Sequence, residues 1–132
     1  MILALHAAGA STHLWLYDAT STSEPLAEVE WESGRQLSSQ LLTRIKDLVA
    51  SRGAHIHDLA GVVVFSGPGS FTSLRIGHTV ANALADGVQI PVVGAQGENW
   101  LRAGLAAVAD AKPGHPALPH YGSEAHITRP KN

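Results

Sequence analysis

The chain has 132 residues, 45% hydrophobic and 15% charged, which is enough apolar material for one core and excludes a disordered polyelectrolyte. Eleven acids against nine bases leave a net charge of −2, which argues against a free-standing nucleic-acid binder. Cysteine is absent, excluding a disulfide framework, thiol catalysis and Cys-ligated zinc, and no apolar run reaches membrane-spanning length. The expectation is a soluble, cytoplasmic domain.

Residues 2–7 form a short apolar run that reads as a first strand rather than a signal peptide, since no basic lead-in precedes it. Residues 13–17 put Leu14 and Leu16 on one face and Trp15 and Tyr17 on the other, a second strand. In 26–31 the alternation of Ala27, Val29 and Trp31 with Glu28 and Glu30 predicts a third strand, wet on one side. The period then changes: Leu37, Leu41, Leu42, Ile45, Leu48 and Val49 recur at helical spacing, and Gly53 is placed to stop that helix. Residues 61–65 are Val-rich without alternation, as in a buried parallel strand. A second helix is expected over 70–85, a fifth strand over 90–95 and a third helix over 97–109. From Lys112 onward four prolines and no periodicity predict an irregular tail. The order βββαβαβα specifies an α/β domain with a mixed five-stranded sheet over 1–111 and a tail over 112–132.

The stretch Ser66-Gly67-Pro68-Gly69-Ser70-Phe71-Thr72 sits where the buried strand hands over to the second helix. It reads either as a tight turn or as a phosphate cradle built from Gly67, Gly69, Ser70 and Thr72, because such a junction aims amide N–H groups and a positive dipole end at one point. No Gly-Lys-Ser/Thr follows, so it is not a Walker A loop. His55 and His57 are two apart and His115, His120 and His126 lie in the Pro-rich tail; with no HxxxH or HExxH, no metal site is expected. Glu28, Glu30 and Glu32 alternate on one strand face, which makes a solvated face rather than an acid/base pair.

Gly67-Pro68-Gly69-Ser70-Phe71-Thr72-Ser73-Leu74-Arg75-Ile76-Gly77 closely resembles the G-P-G-S-F-T-G-[LV]-R-[IV]-G signature of the TsaB (YeaZ) family. Ile2-Leu3-Ala4-Leu5, Ser39-Gln40-Leu41-Leu42, Asp58-Leu59 and Ile90-Pro91-Val92-Val93-Gly94 fit the flanking order, so the resemblance spans about residues 1 to 110; 119–131 resemble the family's final segment weakly. The resemblance implies a single actin-like ATPase (ASKHA, RNase H-like) lobe. It also implies a non-catalytic subunit that partners TsaD and, with the TsaE ATPase, serves threonylcarbamoyl transfer to the anticodon-adjacent adenosine of tRNA. ATP is then used by the wider complex rather than held tightly by this subunit, and tRNA is met only through the complex. Carried onto this sequence, the partner contact falls on the first two helices, at Leu37, Gln40, Leu41, Ile45, Arg75, His78, Ala81 and Asn82, so that Leu41→Asp or Ala81→Arg should break it without unfolding the monomer.

Two departures stand out. His6-Ala7 occupies the place of the family's usual Asp-Thr, and Ala109 runs almost directly into the tail where members carry a second lobe. Both weigh against nucleotide hydrolysis by this chain. The other readings are a small nucleotide- or phosphate-binding enzyme using the Gly67–Gly69 loop, and a homodimer closed by the same two helices.

Overall fold

The computed structural model describes residues 1–120. Three strands, β1 (Ile2–Ala7), β2 (Ser11–Tyr17) and β3 (Ala27–Glu32), form an antiparallel meander, followed by α1 (Leu37–Ala50), β4 (Gly61–Phe65), α2 (Phe71–Val88), β5 (Val92–Ala95) and α3 (Trp100–Val108). The strand order is β3-β2-β1-β4-β5, with β4 parallel to β1 and β5 parallel to β4. This is the mixed sheet of an actin-like, RNase H-like lobe, as expected.

What looks in sequence like unbroken apolar runs is a two-sided layer. Leu3, Leu5, Leu14, Leu16, Val62 and Val64 face α1 and α2, while Ile2, Ala4, Tyr17, Val63 and Phe65 face α3 with Trp100, Leu105 and Val108. Both faces are covered along β1 and β4, so these strands carry no polar side and read without alternation. Each fully buried Leu contributes about 1.5–3 kcal/mol of transfer free energy. On the second face α3 sits close to the sheet because Gly104 lies directly over Val63, where any Cβ would run into the Val63 methyl.

α1 buries Leu37, Leu41, Ile45, Leu48 and Val49 and ends where Gly53, at φ +67, lets the Ala54 N–H return to the Val49 carbonyl. α2 runs three residues beyond its expected end. Gly87 stays helical, and the left-handed turn falls instead on Gln89 (φ 63), whose N–H and side-chain amide close on the Ala85 and Asp86 carbonyls. α3 begins at Trp100 rather than 97, because Gly97 is spent on a turn at φ +82.

The described part of the tail is irregular but docked. Asn82 of α2 grips the Ala117 backbone from both sides, its amide donating to the carbonyl (3.0 Å) and accepting the N–H (2.9 Å). The His120 N–H donates to the Ser66 carbonyl at 2.7 Å. The described residues of the tail contribute no strand to the sheet. His126 and the family-like stretch Thr128-Arg129-Pro130-Lys131 lie outside the described residues. Among those residues no helix is long and apolar enough to cross a membrane.

Candidate functional site

The junction from β4 to α2 is built from its own backbone groups. The Ser66 N–H donates to the Ala95 carbonyl (2.7 Å), and the Gly67 carbonyl accepts the Gly97 N–H (3.0 Å). Gly67 stands at φ +120, a conformation L side chains rarely adopt, and a Cβ there would collide with the His120 carbonyl. Gly69 lies against Ala8 of the β1–β2 turn, and the Ser70 N–H donates to the Ala8 carbonyl at 2.9 Å. The Ser70 hydroxyl caps α2 by accepting the Ser73 N–H. The N–H and hydroxyl of Ser70, offered in sequence for a phosphate, are thus taken up by the fold; Thr72 is exposed on the first turn. The geometry is that of a tight strand–helix turn.

His78 is buried, which corrects its place among surface contacts. Nδ1 lies 2.8 Å from the Leu74 carbonyl and must donate to it. Nε2 is therefore unprotonated and accepts the Ser66 hydroxyl at 2.9 Å. Burial pushes the His78 pKa down; the Leu74 carbonyl opposes the shift and nearby His120 adds to it.

The first two helices also need correction residue by residue. Leu37, Leu41, Ile45 and Ala81 are at most 1% exposed and belong to the core beneath α1 and α2. A helix resting on a sheet turns its strongest apolar stripe inward, so these side chains are not available to a partner, and Leu41→Asp or Ala81→Arg would unfold the chain. Gln40 is half-buried and accepts a hydrogen bond from the Trp31 indole at 3.1 Å, and Asn82 is committed to the tail. Arg75 is exposed, its guanidinium over the Phe71 ring at 5.8 Å.

What the two helices do present is a groove between them of about 510 Å³. Leu42 and Lys46 of α1, Ile56, and Thr79, Val80, Ala83, Gly87 and Val88 of α2 line it with Ser38, His57 and Leu84. Leu42 is 44% exposed, and a Cβ added at Gly87 would meet nothing within 4 Å. Thr79, Ala83 and Gly87 recur every four residues, so the floor of the groove is a low stripe that a second helix can approach. That period is legible in the sequence, but it lies two residues on, about 200° around the helix, from the Gly77-Ala81-Ala85 row that packs inward.

On the other sheet face, His6 of β1 stacks on Phe65 (4.0 Å between ring centroids) and lies tilted against Trp100, with centroids 5.5 Å apart. Burial lowers its pKa. Its cross-strand neighbour His13 stacks on Trp15 at 3.7 Å and pairs with Glu28 at 2.9 Å. The position where the resemblance calls for an Asp is therefore part of an aromatic cluster.

A family model described as "TsaD: tRNA N6-adenosine threonylcarbamoyltransferase" matches residues 31–116, well over half of the chain. The chain belongs to that family. Its similar relatives are TsaB (YeaZ) proteins. The tRNA threonylcarbamoyladenosine biosynthesis protein TsaB of Escherichia coli is 33% identical over 60 residues, covering 46% of this chain and 26% of that protein. TsaB of Haemophilus influenzae is 32% identical over 59 residues, covering 45% and 25%. YeaZ from Pseudomonas aeruginosa superimposes with a TM-score of 0.64 at 25% identity, over 72% of this chain and 43% of YeaZ. The matched stretch thus spans about a quarter of the length of the curated relatives.

Proposed function

We propose that this chain is a docking subunit in threonylcarbamoyladenosine biosynthesis, which binds a TsaD-like subunit through the α1–α2 groove and performs no transfer itself. The observation that carries the reading is the groove, with an apolar rim at Leu42, Ile56, Val80 and Val88 and a low stripe at Thr79, Ala83 and Gly87. Exposed apolar surface of this kind marks a protein contact, and small residues let a partner helix come close. A TsaE-like ATPase and tRNA join through the TsaD-like subunit, and ATP is consumed there. Support for a non-catalytic role comes from His6, which sits packed on Phe65 where the family resemblance calls for a carboxylate.

Co-expression with the TsaD-like protein of the same cell tests the proposal. The two should co-purify in equal amounts, and Ala83→Arg should abolish the complex while leaving the fold intact. A complex indifferent to Ala83→Arg, or a chain that closes the groove by pairing only with itself, would overturn it.

A further inference from the structure

The turn between α1 and β4 places two imidazoles together. His55 is extended (φ −125, ψ 156) and caps a short 3-10 turn, Ile56–Asp58, which folds the chain back so that the two rings meet. Nδ1 of His55 and Nδ1 of His57 are 3.0 Å apart, with the rings stacked at 4.9 Å and 19°. The arrangement is held by the backbone: the His57 N–H donates to His55 Nδ1 (3.3 Å), and the His55 N–H donates to the Asp58 carboxylate (2.8 Å). Both rings are exposed.

His55 Nδ1 carries its lone pair, because it accepts a backbone N–H. The His57 Nδ1 proton bridges the same two nitrogens. A metal ion in place of that proton, at a metal–nitrogen distance of about 2.05 Å, would subtend an N–M–N angle of about 94° across the 3.0 Å gap. That is the cis angle of a square-planar or octahedral site, not the wider tetrahedral angle that zinc prefers.

We propose that His55 and His57 chelate a divalent transition metal of tetragonal or octahedral preference, Cu2+ or Ni2+, through their two Nδ1 atoms. The His57 Nδ1 proton moves to Nε2 and the His57 backbone N–H releases the His55 Nδ1 lone pair to the metal, so both rings bind neutral and no proton is lost. Among the described residues no three His, Asp or Glu side chains form a metal-holding group, so the remaining positions fall to water or an outside ligand. His57 also lines the α1–α2 groove, which sets the metal at its rim.

The test uses the full chain and Cu2+ held by iminodiacetate, which leaves the metal two cis positions to fill. One equivalent should bind with two imidazole nitrogens in the copper spin-resonance spectrum, and with Cu2+ preferred to Zn2+. His57→Ala and His55→Gln should each weaken binding roughly tenfold to a hundredfold. His57→Ala should leave the melting temperature unchanged, because the cap acceptor sits on His55. Absence of a one-to-one complex, a spectrum with one imidazole, or binding that survives both substitutions would overturn the site; Zn2+ binding as tightly as Cu2+ would overturn the choice of metal.

Discussion

The Ser66 hydroxyl donates to His78 Nε2 across 2.9 Å, and neither group reaches solvent. The pair joins the end of β4 to the second turn of α2 directly under the family signature. Gly94 of β5 covers it, since a Cβ there would strike Ser66 Oγ. A serine–histidine contact suggests nucleophilic chemistry, but a nucleophile needs a substrate within reach, and this one is sealed beneath the strand and the tail. Its work is to hold the strand–helix junction.

Stability should therefore fall with acid. Buried His78 and half-buried His6 both have folded pKa values below the ordinary value of about 6.5, so below that pH the unfolded chain takes up protons that the fold refuses. Their contribution is complete above about pH 6.5 and is lost as pH drops below it, by at most about 1.4 kcal/mol per pH unit for each histidine. Melting curves from pH 7.5 to 5 should show the decline. His78→Gln should lower the melting temperature at pH 7.5 but flatten the slope, and equal slopes in both proteins would remove His78 from the account.

Asn82 is expected to be a structural clamp rather than a partner contact. Asn82→Ala deletes both hydrogen bonds to Ala117 and should cost about 1–3 kcal/mol. Limited proteolysis reads the result directly: cleavage within 113–118 should speed up while the rest of the chain resists.

The groove and the core should separate cleanly by substitution. Gly87→Arg projects into open space and should change stability by no more than about 1 kcal/mol while preventing a partner from docking. Leu41→Ala, by contrast, empties a fully buried site and should cost about 2–5 kcal/mol. Denaturant midpoints and co-purification, measured on both variants, should give opposite patterns.

Gly67→Ala should be as damaging as a core deletion. It forces a side chain onto φ +120 and into the His120 carbonyl, and the expected loss is about 2 kcal/mol or more. If the melting temperature of this variant matches the parent protein, the junction is looser than its hydrogen bonds imply.

Much of this protein is written in short-range pattern. The alternation of Leu14 and Leu16 with Trp15 and Tyr17, the Leu37-Leu41-Ile45 stripe and the Gly-rich signature after β4 mark strands, helix and junction, because backbone preference and facial periodicity depend on near neighbours. Helix ends were less legible: Gly87 invites a stop, yet the left-handed turn belongs to Gln89, whose amide supplies the cap. Residues of one chemistry, the neighbours Leu41 and Leu42 or the distant His57 and His78, meet opposite fates. Leu41 lies under the helix and Leu42 on its rim; His78 is sealed against Ser66 and His57 stands open beside His55. Sequence period alone names a stripe without saying which layer will arrive to cover it. Only the crossing of α1 and α2 over the sheet fixed which apolar face is core and which is left for another surface, since burial is decided by contacts between segments far apart in the chain.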